Sequence, residues 1–212
     1  TPSRCHRNST LEYRRRDCTP PRLRAPLARQ LCRRDTTTGD LVVKILVTGA
    51  AGFVGRHVVA ELIARGHHVI AVDRDEDRGR TMSWFRSSRF IPHDIYRASV
   101  SPRDVFGDAE AVIHLAWQGL PNYKDLFHFE EVLPADYRFL KSLVMSGYSR
   151  LLVTGTCLEY GMQDGCLKED LPTRPNTPYA LAKDTLRKAL EMLKAKRSFT
   201  LQWARLFYMY GE

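Results

Sequence analysis

From residue 42 onward, short apolar runs alternate along the chain with longer stretches in which apolar and polar positions mix. The first run, VVKILVT at 42–48, is continuous and rich in β-branched residues, which is typical of a strand buried on both faces. A glycine-rich turn and an amphipathic stretch at 53–65 follow, and Gly66 is expected to end that helix. A second apolar run, HHVIAVD at 67–73, completes a predicted βαβ unit.

The alternation continues to the end of the chain. It predicts further strands at 89–92, 111–116, 150–156 and 199–207, and helices that begin near Ser101 and that span 127–146 and 178–196. Pro134 is expected to start or kink part of its helix, because proline cannot donate a backbone hydrogen bond. Strands that alternate with helices predict an α/β fold with a doubly wound parallel sheet, the Rossmann fold.

Composition divides the chain into two parts. Residues 1–42 hold ten arginines against four acidic residues, with clusters of proline and threonine and no strand or helix periodicity. We predict a disordered Arg-rich extension at 1–42 and an NAD(P)-binding Rossmann domain at 43–212. Most of the net charge of +9 lies in the extension, so no nucleic acid is expected on the domain. A nucleic-acid arm, an organelle transit segment and a dispensable extension stay open for 1–42.

Hydropathy and cysteine spacing narrow the class of protein further. No run of about 18 apolar residues occurs, and the start of the chain lacks the apolar centre of a secretory signal. We therefore expect a cytoplasmic protein without a membrane partner. The five cysteines include no CxxC pair, so we expect free thiols and no metal site.

The turn after the first predicted strand, TGAAGFVG, spaces Gly49, Gly52 and Gly55 as GxxGxxG. Glycine permits a tight turn and lets the backbone approach a pyrophosphate, and the start of the next helix offers free amides. Because the glycines lie between a strand and a helix, they predict a dinucleotide site.

Asp73 ends the second predicted strand. A carboxylate at this place accepts hydrogen bonds from the adenosine ribose and repels a 2′-phosphate, so NAD is favoured over NADP. Arg74 and Arg78 leave NADP possible, and a carboxylate that merely ends the strand is the alternative interpretation.

The segment TPYALAK places Tyr179 and Lys183 four residues apart on one predicted helix, so that both side chains project from the same face. An ammonium close to a phenol favours the phenolate, so we expect Lys183 to lower the pKa of Tyr179 toward neutrality. Such a tyrosine can exchange a proton with an alcohol or a ketone.

Seven motifs together resemble an extended short-chain dehydrogenase/reductase of the NAD-dependent sugar epimerase/dehydratase family. They are TGAAGFVG, Asp73, HDI with Asp94, HLA with His114, TGTCLEYG, PNTPYALAK and RLFYMYG, in the order of the family and covering 43–211. The resemblance implies a cofactor site formed by Gly49, Gly52, Phe53, Val54, Gly55, Asp73, Asp94, Ile95, Leu115, Ala116, Tyr179 and Lys183. It also implies that Thr156, Tyr179 and Lys183 are catalytic.

Two side chains near these motifs are expected to have structural roles. His114 within an apolar strand is expected to be a buried structural histidine, and Trp117 is expected to pack rather than bind substrate. A cap of a helix or turn is the alternative interpretation of Asp94. A homodimer through the helices near 126–145 and 179–196 is implied by the resemblance, although their apolar residues equally fit packing on the sheet.

The residues after Thr156 indicate which reaction of the family to expect. Dehydratases of the family place Asp and Glu directly after the catalytic threonine, and here Cys157 and Leu158 stand there. Glu159 follows one position later and, on an extended segment, should point to the other face. The family's asparagine is also missing near Val132.

We therefore expect an NAD(P)-dependent 4-epimerase or 4-ketoreductase acting on a nucleotide sugar. A non-catalytic dinucleotide-binding sensor or an inactive fragment is the alternative. Chains of the family continue for about a hundred residues beyond RLFYMYG, so the C-terminal substrate domain is expected to be largely missing, with weak turnover by these residues alone.

Overall fold

The structure is a computed structural model that describes residues 42–97 and 101–211. The predicted extension at 1–42 therefore lies outside the described residues, apart from Val42. Within the described ranges no helix is long and apolar enough to cross a membrane.

Six strands form one parallel sheet. They are β1 (Lys44–Thr48), β2 (His68–Asp73), β3 (Arg89–Pro92), β4 (Ala111–His114), β5 (Arg150–Thr156) and β6 (Thr200–Leu206). Their order is β3-β2-β1-β4-β5-β6, which confirms the predicted doubly wound sheet. The order reverses between β1 and β4, and in open α/β sheets ligands bind in the crevice at the carboxyl end of such a switch point.

Five α-helices connect the strands. They are α1 (Gly55–Ala64), α2 (Glu76–Arg80), α3 (Pro102–Phe106), α4 (Leu133–Met145) and α5 (Pro178–Lys194). A π-helical turn, His128–Val132, precedes α4, and Pro134 lies in the first turn of α4, where its missing amide hydrogen is not needed. The expected start of a helix at Pro134 is therefore confirmed. Short 3₁₀ turns occur at Phe85–Ser87 and Cys157–Tyr160.

The sheet is covered on both faces because alternate strand residues point to opposite sides. Leu46 faces a cluster that α4 and α5 complete with residues such as Leu140 and Leu186. Val47 faces a second cluster that includes Val59 of α1. This packing fixes the start of α1 and the first turns of α5 at the carboxyl edge of the sheet.

Candidate active site

The glycine turn is shaped by close backbone contacts. Gly49 has a φ of +69°, and a Cβ there would lie 2.8 Å from the backbone nitrogen of Ala116. A Cβ on Gly55 would overlap the carbonyl oxygen of Gly49. Both positions therefore require glycine if α1 is to begin directly after the turn. The turn lines a cleft of about 800 Å³ with Gly49, Gly52, Phe53, Val54 and Gly55, which are five of the residues expected to bind the cofactor.

A smaller recess of about 200 Å³ continues from this turn toward the end of β2. It brings together five further predicted cofactor residues, Asp73, Asp94, Ile95, Leu115 and Ala116, with Arg74 and Arg78 beside them. The predicted residues thus form one continuous surface along the switch point of the sheet.

Both carboxylates of the recess also stabilise local backbone. Asp73 Oδ2 accepts the amide hydrogen of Ala51 at 3.0 Å, which ties the glycine turn to β2. Asp94 Oδ1 accepts the amide hydrogen of Tyr96 at 3.0 Å, so the turn that the sequence left open for Asp94 does form. A carboxylate has further acceptor positions, so these contacts leave both side chains able to bind a ribose or a base.

Thr156, Tyr179 and Lys183 line the same cleft as the glycine turn. Thr156 ends β5, while Tyr179 and Lys183 lie one helical turn apart at the start of α5. The Thr177 hydroxyl accepts the amide hydrogen of Ala180 at 3.2 Å and caps α5, which fixes the first turn of the helix.

Lys183 is almost fully buried, with 2% of its surface exposed. Its Nζ donates to the carbonyl oxygen of Thr154 at 3.0 Å and lies 3.9 Å from the centre of the Trp117 ring. Burial lowers the pKa of Lys183 to about 8, although the charges of Asp136 and Glu159 act in the opposite direction.

Burial raises the pKa of Tyr179 to about 12, and a hydrogen bond with the Thr156 side chain offsets part of this rise. The predicted fall of the phenol pKa toward neutrality is therefore wrong for the chain alone. The physical reason is that burial disfavours the phenolate, while the Lys183 ammonium is held by Thr154 and Trp117. Within this structure the phenol is a proton donor rather than a phenolate.

Comparison with known proteins decides the family. The model of the NAD dependent epimerase/dehydratase family matches residues 45–212. The chain belongs to this family. It is 34% identical over 172 residues to the dTDP-6-deoxy-L-talose 4-dehydrogenase (NAD(+)) of Aggregatibacter actinomycetemcomitans, covering 80% of the chain and 63% of the relative. It is 27% identical over 150 residues to the UDP-glucose 4-epimerase of Streptococcus mutans, covering 66% of the chain and 44% of the relative.

Among solved structures, MoeE5 in complex with UDP-glucuronic acid and NAD superposes with a TM-score of 0.67 at 32% identity. The match covers 79% of the chain and 56% of MoeE5. The chain thus spans between 44% and 63% of the length of these three proteins.

An aromatic cluster surrounds Tyr179. The rings of Trp117, Tyr123 and His128 lie 5.8, 5.5 and 5.3 Å from the Tyr179 ring. Trp117 Nε1 donates to His128 Nδ1 at 3.1 Å, and His128 Nε2 donates to the carbonyl oxygen of Asn122 at 2.9 Å. Trp117 does pack, as expected, but against the catalytic candidates. His128 was missed, since a lone histidine in a polar stretch carries no sequence signal.

Glu159 corrects one sequence expectation. The residues after Thr156 form the 3₁₀ turn Cys157–Tyr160 rather than an extended segment, so strand alternation does not set the direction of Glu159. Its fully buried carboxylate accepts from the Thr156 amide at 2.9 Å, from Trp203 Nε1 at 3.0 Å and from Arg205 Nε at 2.7 Å. Glu159 is thus engaged in holding the end of β5, and only Cys157 and Leu158 of this turn line the cleft.

His114 is fully buried and lies between Thr48 and Asp136, as expected for a structural histidine. Asp136 was missed, because a single acidic residue in an amphipathic stretch normally faces solvent. Val132, near the expected asparagine, is also fully buried in the π-helical turn. The described ranges contain no group of three or more His, Cys, Asp or Glu side chains placed to hold a metal ion.

Proposed function

We propose that the chain binds NAD along the glycine turn and catalyses oxidation or reduction at carbon 4 of a nucleotide sugar. The observation that carries this proposal is that Thr156, Tyr179 and Lys183 share one cleft of about 800 Å³ with the glycine turn. A dinucleotide site and a proton-transfer site are thus continuous, which a hydride-transfer enzyme requires.

The residues of the cleft fit a dinucleotide. The turn can approach a pyrophosphate only because Gly49 and Gly55 lack side chains, and a Cβ at either position would meet backbone atoms. Asp73 at the end of β2 is placed to accept hydrogen bonds from the adenosine ribose, which favours NAD. Arg74 lies at the same recess, but its Nη1 donates to Gln118 Oε1 at 3.3 Å, so the guanidinium is already partly engaged.

The proposed reaction uses three side-chain groups with separate roles, a hydroxyl, a phenol and an ammonium. NAD, when bound, supplies the acceptor of the hydride that leaves the sugar carbon. The Thr156 hydroxyl and the Tyr179 phenol line the same cleft, and both would bind the reacting sugar oxygen. Tyr179 gives a proton to this oxygen on reduction and takes one from it on oxidation. Oxidation requires the phenolate, so it requires the pKa of Tyr179 to be lower with NAD bound than in the chain alone, and Lys183 is the cation proposed to lower it.

Dehydration is not part of the proposal. That reaction needs an acid and a base beside the catalytic threonine, and the cleft has Cys157 and Leu158 there. Glu159 cannot replace them, since its carboxylate already accepts three hydrogen bonds away from the cleft.

Net redox chemistry and 4-epimerisation share one keto intermediate and differ in what happens to that intermediate next. Both relatives named above act at carbon 4 by their printed names, and the 4-dehydrogenase is the more similar in sequence. This similarity favours a 4-dehydrogenase or 4-ketoreductase over an epimerase. On the same grounds we propose that the chain binds a UDP- or dTDP-sugar. A cytoplasmic location is a separate proposal.

The test combines binding and turnover. Calorimetry with NAD and NADP measures cofactor affinity, and incubation with UDP-, dTDP-, GDP- and CDP-sugars, followed by product analysis, separates an inverted hydroxyl from a ketone. Tyr179→Phe should keep NAD affinity and lose at least about a hundredfold in rate, because the proton donor is removed. Full activity of this variant would contradict the mechanism, and NAD binding without turnover on any sugar would favour a dinucleotide-binding sensor.

A homodimer through α4 and α5 remains a proposal. Met145, Leu181 and Met192 of these helices are exposed by 53%, 43% and 75%, so their apolar side chains are open to a partner surface. Sedimentation of the chain and of a Leu181→Glu variant tests this interface, since a buried charge would dissociate a dimer. A monomeric parent chain would contradict it.

A further inference from the structure

His128 is fully buried at the start of the π-helical turn that precedes α4. Both of its ring nitrogens are engaged. Nδ1 accepts the indole hydrogen of Trp117 at 3.1 Å, and Nε2 donates to the carbonyl oxygen of Asn122 at 2.9 Å. Because an indole only donates and a carbonyl only accepts, these two contacts require a neutral ring that carries its hydrogen on Nε2.

The two hydrogen bonds close residues 117–128, which we call the cleft loop, on themselves. Trp117 and residues 120–124 of this loop line the same cleft as the glycine turn. Gly119 has a φ of +87°, and a Cβ there would lie 2.9 Å from His128 Cε1. The loop therefore folds tightly around the imidazole of His128.

The cleft loop holds Tyr179 through both its backbone and its ring. The Tyr179 amide donates to the carbonyl oxygen of Tyr123 at 3.3 Å, which gives a partner to an amide that has none inside the first turn of a helix. The Tyr179 ring lies 5.3 Å from the His128 ring at an angle of 61°, and 5.8 Å from the Trp117 ring at 71°. Such edge-to-face contacts favour one ring orientation, so the placement of the phenol depends on the loop.

Trp117 extends this restraint to Lys183. The Lys183 Nζ lies 3.9 Å from the centre of the Trp117 ring, and a cation is attracted to the face of an indole. The hydrogen bond from Trp117 Nε1 to His128 fixes one edge of the indole and with it the plane of the ring. One histidine thus fixes the surroundings of both the phenol and the ammonium.

We propose that His128 is a positioning residue for Tyr179 and Lys183, and that it acts through Trp117 and the cleft loop. By holding the loop in one shape it keeps the phenol and the ammonium in the placement that proton transfer needs. The proposal rests on the proposed function in that these two side chains react with the sugar. Its first measurement needs neither substrate nor turnover.

Two variants separate positioning from the mere filling of space. His128→Asn carries a side-chain oxygen that can take the place of Nδ1 and accept from Trp117, but it leaves part of the ring volume empty. His128→Phe fills that volume and has no acceptor. A positioning role predicts that the Asn variant resembles the unaltered chain more closely than the Phe variant does, and a space-filling role predicts the reverse.

The first measurement is amide hydrogen exchange by NMR. In His128→Phe the Tyr179 amide should exchange at least about tenfold faster, because the loop carbonyl moves away, and in His128→Asn it should stay within about threefold of the unaltered chain. The Ala180 amide is the control, since it donates to the Thr177 hydroxyl at 3.2 Å and not to the loop. An unchanged Tyr179 amide in the Phe variant, or an equal acceleration of both amides, would overturn the proposal.

If His128→Phe does not fold, Trp117→Phe takes its place. This variant removes the donor of the same hydrogen bond and keeps an aromatic ring at the position. The Tyr179 amide should again exchange faster while the Ala180 amide does not. Equal exchange of the Tyr179 amide in this variant and in the unaltered chain would contradict the proposal.

The second measurement is steady-state kinetics on whichever sugar the unaltered chain converts. In His128→Phe, kcat should fall by about tenfold and by a larger factor than KM rises, because the reacting groups are misplaced. His128→Asn should recover most of this loss, and a Phe variant as fast as the Asn variant would overturn the proposal. If no sugar is converted, the proposed function fails, while the Tyr179 amide still decides whether His128 positions the loop.

Discussion

The carboxylate of Glu159 accepts the backbone amide of Thr156 at 2.9 Å, while the Thr156 hydroxyl accepts the amide of Leu158 at 3.3 Å. This reciprocal pair is a capping box, and it fixes the Thr156 hydroxyl, which we propose to be catalytic, where β5 ends. The same carboxylate binds Trp203 and Arg205 of β6. Thr156 is therefore held by the turn that follows it, which Glu159 in turn ties to β6.

Replacing Glu159 with Gln should destabilise the fold and loosen Thr156. Arg205, whose side chain is 10% exposed, would lose its buried ion-pair partner, and breaking such a pair costs about 3–5 kcal/mol. Chemical denaturation measures the loss. Glu61→Gln is the control, because its ion pair with Arg65 is exposed and should be worth less than about 1 kcal/mol. Equal losses in the two variants would contradict the assigned role of Glu159.

Gly55→Ala should weaken cofactor binding strongly. The added Cβ would overlap the Gly49 carbonyl oxygen, so either the turn or the start of α1 must move. Calorimetry should show NAD affinity lower by roughly a hundredfold, or about 3 kcal/mol. Gly66→Ala is the matched control: Gly66 has a φ of +82° but no atom within 4 Å of an added Cβ, so it should cost about 1 kcal/mol of stability and keep NAD affinity.

Lys183→Met should change how stability depends on pH. Burial lowers the pKa of Lys183 to about 8, so below that pH the folded chain bears the cost of a buried ammonium, and stability rises between pH 8 and the usual value of 10.5. The stability advantage of the methionine variant should therefore shrink by about 2–3 kcal/mol between about pH 7 and pH 10. Thermal denaturation across this range measures it. Lys194→Met, on an exposed lysine, should show no such trend.

Asp73→Asn should shift cofactor preference toward NADP. The amide still accepts from Ala51, which keeps the turn in place, but it no longer repels a 2′-phosphate. The ratio of NAD to NADP affinity should fall by about tenfold, which corresponds to about 1.4 kcal/mol. Asp75→Asn removes the same charge two residues away, outside the residues that line the recess. If both variants shift the ratio alike, Asp73 does not contact the ribose.

Much of the fold follows from hydrophobic patterning. The sequence pattern placed β3 and β5 at 89–92 and 150–156, the bounds that the structure shows. β5 fits the rule that strands buried on both faces are nearly continuous in apolar residues, whereas β3 is an edge strand whose side chains are partly exposed. The helix expected from residue 53 begins at Gly55, since the first residues of that stretch form the turn. The short helix α2 was missed because its five polar residues show no apolar period, and only the Asp75 side chain, which accepts from Arg78, marks its start.

The candidate site could be predicted where a motif requires a particular backbone geometry. It was harder to predict where contacts between distant segments bring the residues together. The three glycines and the Tyr179–Lys183 spacing identified residues that line the cleft, since each pattern restricts local geometry. The Thr-x-x-Glu spacing at 156–159 is a capping signal that could have revealed the role of Glu159. Asp136 and His128 could not be found in this way, because their burial depends on contacts between segments distant in sequence.

The indole of Trp117 gives the cleft an optical reporter of its own. Its ring lies against the Lys183 ammonium and the Tyr179 phenol and lines the cleft, whereas Trp84 is 4% exposed and donates to the Arg56 carbonyl, and Trp203 donates to Glu159. Occupancy of the cleft should therefore change the emission of one of the three tryptophans while leaving the other two nearly constant. Ligand binding in the cleft can therefore be followed in the unlabelled chain by the fluorescence of Trp117.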